Sequence, residues 1–271
     1  MNGPASIPEQ WKKVQRDADR ARVDLKKHFD SRPVHDFRVA GKKMRALLQL
    51  HHQLQQELYQ PTWLRRTDTL FNTLGVYRDI EMGLELVEAY EKKGERRFVD
   101  YRSFLQQQLK TARAAANRAV QSFQPREWRQ ISALLEQEAA TGSPGLANKI
   151  SEIIMAALPA LKKQFRKPHQ VRKTLKEMYY QLPILEGTVL YDRFYLEALH
   201  RILNELGEWQ DKESLLRRTK HYRKDYLPPE SSGATDLEKL EEKIREEKEK
   251  MRRSAISKTG RWIRNVMAAN K

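Results

Sequence analysis

What most constrains this chain is a stripe of cationic side chains that occurs twice. His35, Arg38, Lys42, Arg45 and His52 are spaced so that, at about 100° per residue, all five fall within about a third of a helix circumference. Phe37, Ala40, Met44, Leu47, Leu48 and Leu54 project to the other side, as an amphipathic helix requires. A shorter version returns with His169, Arg172, Lys173, Lys176 and Tyr180 on one side and Val171, Leu175, Met178, Leu182 and Leu185 on the other. The histidines are offset by 134 residues, and the same offset sets Arg38 on Arg172 and Lys42 on Lys176. A second anchor agrees: Leu74-Gly75 with Asp79 recurs as Leu206-Gly207 with Asp211, at an offset of 132. Pro33 and Pro168 stand just before the two histidines, where proline suits a first helical turn. The chain reads as an internal duplication, and two copies of one basic helix face imply one anion held from two sides.

Helical periodicity covers nearly the whole sequence and no segment reads convincingly as a strand, so the expected class is all-α. Helices are predicted over 8–29, 33–56, 61–93 with a bend at Gly75, 95–123, 126–139, 146–165, 168–185, 191–222 and 235–268. Thr141-Gly142-Ser143-Pro144-Gly145 is the clearest break between lobes. The first lobe then spans about 8–124, an extra helix and linker about 125–145, and the second lobe about 146–268. Pro228-Pro229-Glu230-Ser231-Ser232-Gly233 reads as a mobile surface loop. In the last helix, Glu241 with Arg245, Glu246 with Lys250 and Glu249 with Arg253 make pairs four residues apart on a solvated face.

A net charge of +16 points toward polyanionic partners, although the patterned faces say more than the total. With no cysteine there is no disulfide, thiolate nucleophile or thiolate metal ligand. No stretch approaches the roughly 20 apolar residues needed to span a bilayer. The expected setting is the cytoplasm, without a membrane.

The run His35-Asp36-Phe37-Arg38-Val39-Ala40-Gly41-Lys42-Lys43-Met44-Arg45, followed by Leu74-Gly75-Val76-Tyr77-Arg78-Asp79, resembles the first half of a CHAD domain, the conserved histidine α-helical domain. The run His169-Gln170-Val171-Arg172-Lys173-Thr174-Leu175-Lys176, with Leu206-Gly207-Glu208-Trp209-Gln210-Asp211, resembles its second half. The resemblance implies two four-helix bundles related by internal pseudo-two-fold symmetry, with a basic central groove or pore that binds inorganic polyphosphate. It also implies association with polyphosphate granules. Two positions depart from the family pattern: Tyr179 stands where an arginine is usual, and Gln210 replaces the arginine that the first copy has at Arg78.

Candidate ligand contacts are His35, Arg38, Lys42, Lys43, Arg45 and His52 from the first repeat and His169, Arg172, Lys173 and Lys176 from the second, with Arg78 as a secondary candidate. Polyphosphate is a flexible string of phosphoryl units without bases, so it calls for repeated donors along a line. Lysine offers compact charge, and arginine adds a planar fork that engages two oxygens. From His35 to His52 the stripe covers about 25 Å at 1.5 Å rise per residue, enough for several phosphates. Nucleic acid is the alternative partner, since charge alone does not separate the two, but a base-reading motif and an aromatic stacking platform are lacking. A metal site would need histidines close on one face with an acidic ligand, whereas His35 and His169 sit among cations. No phosphate-cradling glycine loop or nucleophile motif is present, no cofactor is implied, and Asp36, Asp79 and Glu177 are the only modest candidates for a Mg²⁺-dependent hydrolase. A binding module rather than an enzyme is expected.

Gly41, inside the first basic helix, costs about 1 kcal/mol of helix propensity relative to alanine. It either permits close backbone packing or is a tolerated defect. The histidines either cap and pack at the helix starts or touch ligand. If they touch ligand, phosphate charge favours their protonation, from an ordinary pKa of about 6.5. Binding is then expected to tighten at mildly acidic pH, and replacing both His35 and His169 with glutamine should flatten that dependence in titrations across the acidic range.

Overall fold

The computed structural model describes residues 6–55, 61–94, 96–139, 145–185 and 191–269, and within them the backbone is helical with no strand. The helices in chain order are α1 (Ile7–Lys27), α2 (Ser31–Leu54), α3 (Arg65–Lys93), α4 (Val99–Ser122), α5 (Arg126–Ala139), α6 (Leu146–Lys163), α7 (Pro168–Gln181), α8 (Arg193–Tyr226) and α9 (Ser232–Ala269). Short 3₁₀ turns precede α3 and follow α7. No helix among the described residues is long and apolar enough to cross a membrane.

Local chemistry explains where α1 starts and how it packs. Ser6 Oγ accepts from the Glu9 backbone N–H while the Glu9 carboxylate accepts from the Ser6 backbone N–H at 2.8 Å, a reciprocal capping box. Ile7, Trp11, Val14, Ala18, Ala21 and Leu25 then recur in steps of four and three and are all buried, giving one continuous apolar seam. That seam packs mainly on α2, which buries Val34, Phe37, Ala40, Met44, Leu47 and Leu48. Within the first half, α2 also packs on α3, α3 on α4, and α4 back on α1. In the second half α7 packs on α8 and α8 along α9, with α6 against both α7 and α9. The halves meet through α2 against α7 and α3 against α8.

The extra helix α5 supplies what α3 lacks. The residue before α3 is Leu64, which has no side chain able to cap it. Instead, Glu127 of α5 accepts from the backbone N–H and the hydroxyl of Thr67, both at 2.9 Å, and Trp128 Nε1 donates to the same hydroxyl at 2.8 Å. Thr67 and Trp128 are buried, so these bonds satisfy groups that water cannot reach.

Several expected boundaries shift. The α3 helix starts at Arg65, after a 3₁₀ turn, and runs through Gly75 without interruption. The 228–233 loop is shorter than expected: the backbone N–H of Ser231 donates to Pro228 O, its hydroxyl accepts from the Ala234 N–H, and α9 starts at Ser232. Glu241 is not on a solvated face but 1% exposed, held by Arg223 through two bonds of 2.9 and 3.1 Å. A buried carboxylate needs such a partner, and Arg223 on the neighbouring helix reaches it where Arg245 on the same helix does not. Glu249 does pair with Arg253, at 3.0 Å. Of the predicted break between lobes, residues 141–144 lie outside the described residues, and Gly145 follows with a left-handed φ of 77°.

Replacing Glu127 with alanine leaves a buried N–H and hydroxyl at the start of α3 without their acceptor. The expected cost is about 1–2 kcal/mol, read as a melting temperature lowered by about 2–6 °C. An unchanged melting curve would show that α5 does not cap α3.

Candidate anion-binding site

The site begins with Phe71 of α3. Its ring lies beneath three successive cations of α2: Arg38 with its guanidinium carbon 4.4 Å from the centroid, Arg45 at 3.9 Å and Lys42 at 5.9 Å. Aromatic faces attract cations, and the ring spaces the three side chains along the helix. Two of them are also pinned by hydrogen bonds. Arg38 Nη1 donates to the Phe71 carbonyl at 2.7 Å, and Arg45 Nε donates to Asp68 Oδ1 at 2.7 Å. Each guanidinium keeps further N–H groups for a ligand.

Both glycines of this region are explained by close approach. A Cβ on Gly41 would come within 3.2 Å of the Phe71 ring, so glycine lets α2 lie against it. A Cβ on Gly75 would sit 2.3 Å from Arg38 Nη1, so glycine leaves the lane through which that guanidinium passes.

Opposite, α7 contributes Arg172 and Lys176. Burial is the main force acting on Lys42, and Lys176, Arg38, Arg172 and Arg45 add repulsion, together lowering its pKa to about 7. Lys176 is lowered to about 8, again chiefly by burial with Arg172 next. Cations from the two repeats are thus close enough to repel one another across the α2–α7 interface. The Nε of Arg172 is buried with no hydrogen-bond partner among the described residues. Countercharge comes from the repeat-related pair Asp79 and Asp211: Asp79 acts on both Arg38 and Arg172, and Asp211 on Arg172 and Lys176. Burial raises the Asp211 carboxyl above its usual range despite these cations, and Asp79 adds to the rise.

The remaining predicted contacts separate. His35 is exposed near this cluster, and its pKa is lowered first by partial burial and then by Lys42, Arg78 and Lys176, against a raising effect of Asp36. His169 is exposed and shares a 2.7 Å hydrogen bond with Gln210. Arg78 is engaged by Glu81 of its own helix and stands 3.5 Å from Glu85, so it serves an ion-pair cluster that also takes in Ser31 and Tyr77. His52 is corrected: it is 2% exposed and packed edge-on against Trp63 and His51, because the 3₁₀ turn that precedes α3 covers the far end of the stripe. Lys43 points elsewhere too, into a cleft between α1 and α2 lined by Asp17, Arg20, Asp24 and Asp36. A position next to Lys42 is rotated by about 100° on a helix. Lys173 is exposed beside Glu177.

The repeats diverge in pairs. At the offsets that align the repeats, Arg45 and Asp68 of the first correspond to Tyr179 and His200 of the second, and the Arg45–Asp68 ion pair is replaced by a Tyr179–His200 contact of 3.3 Å. Phe71 corresponds to the buried Leu203, and nothing lies within 4 Å of a Cβ on Gly207. The first repeat therefore holds the denser cationic array. Phe71 and Asp68 escaped the sequence reading, and the available signal was that Phe71 precedes Gly75 by one helical turn on the same face.

Comparison with known proteins follows from this geometry. The CHAD domain family profile matches residues 5–218, most of the chain up to the last quarter of α8. The crystal structure of the CHAD domain from the plant Ricinus communis superposes with a TM-score of 0.76, covering 97% of this chain and 93% of that one at 18% identity. At that identity the likeness speaks for the fold alone. A comparison with curated proteins finds no match. With its repeated His-x-x-Arg-x-x-x-Lys helices meeting through α2 and α7 and the profile matched over most of its length, the chain belongs to the CHAD domain family.

Proposed function

We propose that this protein binds inorganic polyphosphate noncovalently in a groove lined by Arg38, Lys42, Arg45, Arg172 and Lys176, with His35 and His169 at its exposed margin and Lys173 beside it. One observation carries the reading: the two cationic stripes meet where α2 packs on α7, and there Lys176 and Arg172 add repulsion to the burial that chiefly lowers the pKa of Lys42 to about 7. Three carboxylates, Asp68, Asp79 and Asp211, accompany five cations, so the groove keeps an excess of positive charge that a phosphate chain relieves. In this reading the two lobes, α1–α4 and α6–α9, are bundles related by an approximate two-fold axis between α2 and α7. The circular packing order within each half supports that arrangement. The protein acts as a binding module of the cytoplasm associated with polyphosphate granules, without turning its ligand over.

Nucleic acid is the competing polyanion. Long-chain polyphosphate is expected to displace a bound oligonucleotide at matched charge far better than the reverse, and equal competition would reduce the protein to a generic polyanion binder. The affinity should fall with salt along a log–log slope of about −3 to −4, from roughly 0.7 counterion per contact over the groove cations. Arg38→Gln and Arg172→Gln should each weaken binding by about tenfold or more, whereas Lys43→Gln should change it by less than about twofold. Incubation with Mg²⁺ should release no phosphate and shorten no chains.

The pH dependence follows from the lysines as well as the histidines. Bound phosphate favours the protonated amine, so binding takes up protons wherever Lys42 and Lys176 are neutral in the free protein. Affinity is expected to fall as pH rises through 7 and 8, the values to which these two lysines are lowered. Calorimetry in buffers of different ionisation heat reads the proton uptake directly, and Lys42→Arg should diminish it. Equal uptake by the variant would take Lys42 out of the ligand's reach.

A further inference from the structure

We propose that Lys42 is a modification site for acyl phosphates: the groove's arginines hold the phosphate group, and the Lys42 amine takes the acyl group. The inference rests on the anion-binding reading of the groove and adds to it a small, reactive class of ligand.

Geometry singles this amine out. Lys42 lies one turn from both Arg38 and Arg45, which are anchored on the Phe71 carbonyl and on Asp68 respectively. Its own Nζ rests 5.9 Å from the Phe71 centroid, and no carboxylate pairs with it among the described residues. The charged groups around it come from four helices. His35, Arg38 and Arg45 of α2 and Arg172 and Lys176 of α7 interact with it directly, and Asp68, Arg78 and Asp79 of α3 and Asp211 of α8 act on those cations. The carboxylates act on arginines and on Lys176, and Lys42 is left facing cations.

Such surroundings disfavour the ammonium form, and the pKa of about 7 leaves much of the amine neutral and nucleophilic at the pH of a cell before a ligand arrives; a bound phosphate draws part of it back to the ammonium, and attack uses the neutral share that remains. An ordinary lysine, at about 10.4, is neutral there in only about one molecule in a thousand. An acyl phosphate would seat its phosphate on the donors of Arg38 and Arg172, the Nε of the latter being buried without a partner among the described residues, and present its carbonyl to the amine. The nitrogen lone pair attacks the carbonyl carbon and a C–N bond forms. The C–O bond to phosphate breaks, inorganic phosphate leaves with the electron pair, and the amine proton passes to water or to the departing phosphate. The product is an uncharged amide at the centre of the groove, so acylation removes one of the cations on which polyphosphate binding depends.

The test treats the full chain with acetyl phosphate near neutral pH and maps acetyl occupancy by peptide mass spectrometry. A parallel sample receives an uncharged acetyl ester. Lys42 is expected to acylate on the order of tenfold faster than the exposed lysines Lys12 and Lys162 with acetyl phosphate, and Arg172→Gln should remove most of that preference. With the uncharged ester the preference should shrink, because only the amine's reactivity remains. Acetyl phosphate labelling of Lys42 no faster than of Lys12 or Lys162 overturns the proposal, as does an equal preference with both donors. Added polyphosphate should protect Lys42. Selective labelling without protection supports the modification site and counts against polyphosphate as the groove's ligand. Polyphosphate binding by calorimetry without selective labelling does the opposite.

Discussion

The contact on which the rest depends is α2 laid against α7, because it brings like charges together that would separate in an open chain. Repulsion among half-buried cations is unfavourable, and burial sharpens it. What holds the helices there is on their other faces: Phe37, Met44, Leu47 and Leu48 of α2 and Val171, Leu175 and Met178 of α7 are each no more than 4% exposed. Removing such side chains from water stabilises by roughly 1.5–3 kcal/mol apiece, enough in sum to hold the cations in place. Asp79 and Asp211 temper the repulsion without cancelling it, and the Phe71 ring adds attraction on one side. The cation cluster is an electrostatically unfavourable arrangement maintained by an apolar core.

The two basic repeats are not equivalent in structure. The first repeat keeps Phe71, Asp68 and the glycine that makes room for Arg38, whereas the second has Leu203, His200 and an unobstructed Gly207 at the corresponding places. The differences are paired, since Arg45–Asp68 corresponds to Tyr179–His200 and each pair makes a contact. The histidines follow the same rule: Arg78 acts on His35 as a repelling cation, and Gln210 instead hydrogen-bonds His169. The first repeat therefore concentrates charge, and the second holds fewer charges in a more neutral polar setting.

Outside the groove, partners on neighbouring helices decide the fate of charged residues. Glu241, Lys212 and Glu247 look from their spacing like members of solvated helix faces. Yet Glu241 is buried with Arg223, and Lys212 bonds Glu247 and the Tyr90 hydroxyl. Glu127, unremarkable in sequence, caps a helix that lies 60 residues earlier in the chain. These side chains are common types at helical spacing, and nothing in the periodicity marks which neighbour will approach them.

The helical class, most helix boundaries to within a few residues and the cationic face of α2 were written in the order of residues, because helix periodicity and capping act within a few positions of each other. His52 satisfied the same periodicity and is nonetheless buried, since the stripe does not record where α3 begins to cover it. Lys43 sat inside the family motif and turned toward α1, as its angle on the helix required. Only the tertiary structure decided that the two stripes meet, that Phe71 and Asp68 brace one of them, and that lysines share the acid-base sensitivity expected of the histidines. Those outcomes depend on burial and on charges brought together from distant parts of the chain. Neither quantity exists until the helices pack.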